Sequence, residues 1–325
     1  MVYEVELIST AEKDELFEEY QDRFLYTRKA EVYGCCMKLL TDQQYVTDRW
    51  GDNFYTMGEN IRSHGRIVVL EEPSEDLKVK YDPMTKTAFL YNFDYYGWIK
   101  SVTLAVAGDV LEDEHRIYHV HGAAIDVMGK GVSIIAPSKT GKTTHSWGLL
   151  RMPEARLVTD DWYFVRLSDK RPLAFGSEKN CYTEADIADI WTEYRRLIDK
   201  AHFDNKDRAI VNVRWIVGEG GVIPMTTIYH IILLKRDKND PKIVTELSPE
   251  EGLDYLVAHD LCNPHQLVRD ERKTELRKNF YKRLLERSTV HMVNTTQTPQ
   301  ESQEAIRSVL EERIGAERIG TRKQE

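Results

Sequence analysis

The chain has 325 residues, enough for one large domain or two of ordinary size, and enough to bury a substantial core. It is 41% hydrophobic and 30% charged, the composition of a soluble globular protein. Its net charge of -9 argues against broad electrostatic binding to nucleic acid or to an anionic membrane, and no apolar stretch reaches the length of a membrane span.

In chain order, "MVYEVELISTAEKDE" has no cationic start and no long apolar core, so it does not read as a secretory signal. Within it "YEVELI" alternates as a strand, and "AEKDELFEEYQDRFL" follows as a charged amphipathic helix. Cys35 and Cys36 are adjacent, while Cys181 and Cys262 stand alone. That usage fits free thiols in a reducing, cytoplasmic compartment, not a disulfide framework or a zinc site. "GRIVVLEE", "LKVKYD" and "TKTAFLYNF" are short strands, the last leading into a helical stretch that ends in "EDEH". A boundary is expected there, giving an N-terminal α/β domain over 1–112 and a second domain over 113–325.

From Ile117 the pattern sharpens. "IYHVHGAAIDVMGKGVSIIA" is two β-rich runs joined by "MGKG", which is hairpin chemistry. A turn follows, then a helix through "TTHSWGLL". "ARLVTDDWYFVRL" reads as one apolar strand with two carboxylates in its middle, and "TEADIADIWTEYRRLID" as one helix. "TTIYHIILLKRD" is the nearly continuous apolar run of a buried strand. A basic amphipathic helix, "ERKTELRKNFYKRLLERS", a strand, "TVHMVNT", and a helix with a capping signature, "TPQESQEAIRSVLEERI", complete the chain.

The turn is "APSKTGKT", Ala136 to Thr143, which matches the phosphate-loop pattern G-x-x-x-x-G-K-[ST] with alanine at its first position. Gly141 permits a tight turn, and the N–H groups of Ser138 to Thr144 with the helix N-terminus offer partial positive charge to phosphates. Lys139 adds a cation. Lys142 can reach the β- and γ-phosphates of ATP, and Thr143 can offer its hydroxyl to Mg2+. Asp160 and Asp161 come eighteen and nineteen residues after Lys142, the separation that a helix and a return to the sheet require. Two uncompensated carboxylates are costly to bury, so they are expected at a strand end beside a metal, a lysine or a histidine. His119 and His121 share a strand face just upstream.

These residues together, "HVHGAAIDVMGKGVSIIAPSKTGKTT" followed by "RLVTDD", resemble the C-terminal kinase domain of HPr kinase/phosphorylase. More distantly they are similar to the nucleotide domain of phosphoenolpyruvate carboxykinase. The resemblance covers roughly residues 117–165. It implies an α/β, mixed-sheet P-loop core preceded by an N-terminal α/β domain. It also implies an ATP- and Mg2+-dependent kinase acting on a hydroxyl of a protein serine or a small molecule. His121 and Asp160 would then form the catalytic neighbourhood with Lys142, with Asp160 preferred as general base and Asp161 joining Thr143 on the metal. The family also often forms homo-oligomers. Departures are the Ala136 and Lys139 substitutions, the missing second glycine-rich signature of true HPr kinases, and a dissimilar N-terminal region. HPr is therefore not the expected acceptor. Lys179 and Arg214 are candidate acceptor-site cations. Two other readings stay open: a non-catalytic nucleotide-binding regulator, and a kinase of RNA suggested by the basic helix.

Overall fold

The computed structural model describes residues 3–322, and it is mixed α/β with mixed sheets. The chain begins with β1 (Glu4–Leu7) and α1 (Thr10–Tyr20), the latter opened by a capping box between Ser9 and Glu12. Next come β2 (Tyr26–Val32), β3 (Cys35–Thr41), α2 (Gln44–Asn53) and β4 (Tyr55–Thr56). β5 (Gly65–Leu70), β6 (Lys78–Asp82) and β7 (Thr87–Tyr91) follow. These strands make a seven-stranded sheet in the order β1-β6-β7-β5-β3-β2-β4.

α3 (Tyr96–His115) comes next, and every residue from Tyr96 to Glu112 except Trp98 is buried. A helix apolar on all sides must be covered on all sides. α3 achieves this by packing on β3, β5 and β7 of the first sheet and on β8 (Ile117–His121) of the second. It ends at Arg116, whose left-handed backbone (φ 54) turns the chain into β8. The expected boundary at Glu112 to Glu114 therefore falls in the last turn of a buried helix between two sheets. It is not a linker, and one apolar core joins Leu39 and Ile67 to Trp162 and Phe164.

The second unit continues with β9 (Ala123–Val127), β10 (Lys130–Ile135), α4 (Lys142–Leu149), β11 (Ala155–Thr159), β12 (Trp162–Arg166) and β13 (Leu173–Phe175). After β14 (Cys181–Glu184) come α5 (Ile187–Ile190), α6 (Arg195–Ile198), β15 (His202–Phe203), β16 (Arg208–Val211) and α7 (Arg214–Val217). β17 (Met225–Lys235), β18 (Val244–Leu247), α8 (Pro249–Ala258), α9 (Glu271–Leu285), β19 (Thr289–Asn294) and α10 (Pro299–Arg322) complete it. The main sheet runs β11-β9-β10-β17-β13-β12-β8, with β19 beside β17 and β18 beside β19. β17 is parallel to β10 and β19 and antiparallel to β13, so the sheet is mixed. A small sheet, β14-β16-β15, lies apart.

The "MGKG" turn joins β9 to β10 with both Met128 (φ 57) and Gly129 (φ 81) left-handed, the geometry that matches strand twist in a two-residue hairpin. Two expected elements differ. "ARLVTDDWYFVRL" is two strands, β11 and β12, with Asp160 and Asp161 at the corner between them. β8 and β9 break at the same level around Gly122, whose N–H donates to the Asp161 carbonyl at 2.8 Å. "TEADIADIWTEYRRLID" is not one helix. Trp191 adopts an extended backbone that separates α5 from the turn leading into α6, and its buried indole donates to the Thr144 carbonyl at 2.9 Å.

Candidate functional site

The turn from Ala136 to Gly141 leaves the buried end of β10 and enters α4. Lys139 (φ 66) and Gly141 (φ 99) are both left-handed. At Gly141 a Cβ would be strained by that backbone and would sit 3.2 Å from the His145 ring. Ser138 and Lys139 are exposed, and Thr140, Gly141, Lys142, Thr143 and Thr144 are half-buried. The turn is braced from inside. Thr140 donates to the Pro137 carbonyl at 2.7 Å, while its own carbonyl accepts from Thr295 at 2.9 Å. Behind it, His145 faces Gln303 Oε1 at 2.9 Å. The first N–H groups of α4 have no intrahelical acceptor and lie at the positive end of its dipole, which suits an anion.

Lys142, the first residue of α4, folds back to the β11–β12 corner. Its Nζ lies 2.5 Å from Asp161 Oδ1 and donates to the Asp160 carbonyl at 3.2 Å. His121 Nε2 reaches the same Asp161 oxygen at 3.2 Å. Its Nδ1 donates to the Cys262 carbonyl at 2.7 Å. Both ring nitrogens thus face oxygen atoms of the site. The Cys262 carbonyl is presented by three consecutive left-handed residues, Asp260, Leu261 and Cys262 (φ 53, 54 and 55). Such backbone costs about 1–2 kcal/mol per residue. The buried Gln266 offsets it by donating to the carbonyls of Asp260 and Asn263 at 3.1 and 3.0 Å.

The two aspartates part at the corner. Asp161 is 28% exposed and meets Lys142, His121 and, through Oδ2 at 2.8 Å, Lys100 of α3. Burial would push its carboxyl up, but the Lys100 and Lys142 ammonium groups and His121 override this and hold it well below the usual carboxylate range. Asp160 is buried, with Oδ2 3.4 Å from the Trp147 indole nitrogen. Burial, reinforced by the Asp161 charge, pushes its carboxyl up. The expected pairing of His121 with Asp160 is therefore replaced by one with Asp161, because the sheet turns at this corner and sends the two side chains apart. His119, the other histidine of that face, is buried against Trp162 and Glu112, away from the turn.

Lys179 and Arg214 lie together but serve as braces. Lys179 Nζ donates to the Gly51 carbonyl at 2.6 Å and sits over Tyr55, and Arg214 donates to the Lys179 carbonyl at 3.2 Å. The residue before Lys179, Glu178, is the one that joins the site, pairing with Lys100 at 3.0 Å. Sequence reasoning missed Lys100 and Glu178. The available signal was a lone lysine in the apolar run "GWIKSVTLAVAG". Cavities of about 480 and 260 Å³ lie at the far end of α4, around Arg151 and Met152, and not at the turn.

Among the described residues no group of three or more His, Cys, Asp or Glu side chains could hold a metal ion by itself. Mg2+ does not require one, since it commonly takes one or two protein oxygens plus substrate phosphates. The Thr143 hydroxyl and the Asp161 carboxylate are hard donors of that kind. Among the described residues no helix is long and apolar enough to cross a membrane. No protein-family model matches the chain, and no curated protein matches it either.

Proposed function

We propose that the chain is a cytoplasmic, ATP-dependent phosphotransferase on an HPr-kinase-like P-loop core, acting on a hydroxyl of a protein or small molecule. The observation that carries this reading is convergence. Lys142, which opens α4, lies 2.5 Å from Asp161, and His121 shares that carboxylate oxygen. A phosphate cradle and an ionised aspartate therefore occupy one partly exposed place. In transfer, the acceptor oxygen bonds to the γ-phosphorus as the bond to the ADP oxygen breaks, and the hydroxyl proton passes to Asp161. Asp160 faces Trp147 and acts by holding the corner. Thr143, together with the phosphates and water, would hold the nucleotide's Mg2+, which would supply neutralisation of phosphate charge; Asp161, which takes the proton, is not among its ligands. Lys142 leaves Asp161 for the phosphates.

The three cations on Asp161 favour one second reading, a nucleotide-binding regulator without turnover, because they make that carboxylate a weak base. An RNA kinase is less well supported, since Lys273 and Arg277 of the basic helix α9 are buried against Glu112. The test is titration with a fluorescent ATP analogue and Mg2+, then incubation of the protein with labelled ATP and cell extract. Binding that weakens about 100-fold in Lys142→Met, a loss of about 3 kcal/mol, with one labelled product, is expected. Binding without any labelled product would favour the regulator, and absence of nucleotide binding would sink both.

A further inference from the structure

The helix that closes the first unit reaches into this site. Lys100 is the single charge between Tyr96 and Gly108 of α3. Its side chain is 3% exposed, with Nζ 2.8 Å from Asp161 Oδ2 and 3.0 Å from Glu178 Oε1, over the Tyr182 ring at 5.1 Å. Glu178 is as deeply buried, and its second oxygen has no hydrogen-bond partner. Asn53 of α2 approaches the first oxygen at 3.4 Å. A buried lysine between two carboxylates seldom stabilises more than apolar side chains of the same volume would. What it does provide is direction. Asp161 Oδ1 is held by Lys142 and His121, and Lys142 is the partner a nucleotide would remove. Lys100 cannot follow it, because Glu178 anchors the other side of its ammonium. Burial pushes the Glu178 carboxyl up to about 7 despite Lys100. The titratable groups around Glu178 are Lys100 and Tyr96 of α3, Asp160 and Asp161 of the corner, and Cys181 and Tyr182 of β14.

We infer that Lys100 is a positioning residue: anchored by Glu178, it keeps Asp161 oriented when Lys142 turns to the nucleotide, so the first unit completes the site of the second. This rests on the phosphotransferase reading, with Asp161 on the reacting side. It is tested on the full chain by comparing wild type with Lys100→Met, Lys100→Arg and Glu178→Gln. Two quantities are measured: affinity for the fluorescent ATP analogue with Mg2+, and ATP turnover, to water if no acceptor is in hand, from about pH 5 to about pH 9. Lys100→Met is expected to bind the analogue within about threefold of wild type while turnover falls about 100-fold, with Lys100→Arg restoring part of it. Glu178→Gln is expected to bind normally and to displace the acid limb of the turnover profile. Should Lys100→Met fail to fold, Lys100→Arg and Glu178→Gln carry the test, since the first keeps the charge and the second the shape. Wild-type turnover in Lys100→Met, or an unmoved pH profile in Glu178→Gln, overturns this inference alone. Equal losses of binding and turnover in a folded Lys100→Met reduce Lys100 to a structural role and overturn it as well. A wild-type protein that does not bind the analogue, or binds it without turnover, overturns the reading beneath.

Discussion

The two ends of α3 both carry buried ion clusters, and they differ in one respect. At the C-terminal end, Asp109, Glu112 and Asp113 meet Lys86 of the first unit and Lys273 and Arg277 of the second. Tyr81 donates to Asp109 at 2.7 Å, and His119 pairs with Glu112 at 3.2 Å. The side chains of Glu112 and Lys273 in this cluster are each 1% exposed, and only at its edge does Asp113, 20% exposed, also meet the exposed Arg272 at 3.0 Å. At the N-terminal end, Lys100 joins a cluster whose aspartate is 28% exposed beside the turn that leads into α4. Charges that find all their partners inside the protein specify how two units pack. Charges with one side left open, beside the N-terminus of α4, are what the proposed nucleotide site would use.

Breaking the closed cluster has the largest expected effect on folding. Glu112→Gln leaves Lys273, Arg277 and His119 facing an uncharged amide in a buried place, which should cost about 3–5 kcal/mol. Urea denaturation would show it, with nucleotide affinity of the remaining folded protein unchanged. Breaking the open cluster should do the reverse. Asp161→Asn is expected to lower phosphate transfer about 10²- to 10⁴-fold while the urea midpoint moves little. Asp160→Asn, behind Trp147, should lower transfer far less; an equal loss in both would return the base to Asp160. A pH-dependent effect sharpens the comparison further. His265 lies beside His121 and Trp162 at the open end, with Nδ1 2.6 Å from the Tyr3 hydroxyl. Burial, with the His121 charge, pushes its ring down to about 3. The folded protein holds it neutral while the unfolded chain takes a proton below about 6.5. Its contribution is thus complete above that pH and lost as pH falls toward 3, at about 1.4 kcal/mol per unit. Melting temperature followed against pH should fall less steeply over that window in His265→Asn than in wild type.

Much of the site was legible because it is local. Gly141 and Lys142 adjoin a turn that only a small set of backbones can make, and "VTDD" lies one crossover away. The choice between Asp160 and Asp161 was not legible. Adjacent residues alternate faces along a regular strand, but here the strand ends between Thr159 and Trp162, and the neighbouring Gly122 break sets which side each faces. Lys179 and Arg214 read as candidate acceptor cations from their charge. Their carbonyl partners, Gly51 and Lys179 itself, come from distant or neighbouring backbone that charge patterning does not report. The helix expected over 183–199 failed at Trp191, where a tertiary bond to Thr144 outweighed helical spacing.

By itself the sequence determined the α/β class, the strands β1, β5, β6, β7, β10, β17 and β19, the helices α1, α9 and α10, and the glycine turn before α4, since these follow from periodicity of two or 3.6 residues and from glycine at a left-handed position. Only the tertiary structure decided that Asp161 meets His121 and Lys142, and that Lys100, sixty-one residues away, closes the set. Those contacts depend on how α3 is pressed between two sheets, and burial energy of that kind is not written in any one segment.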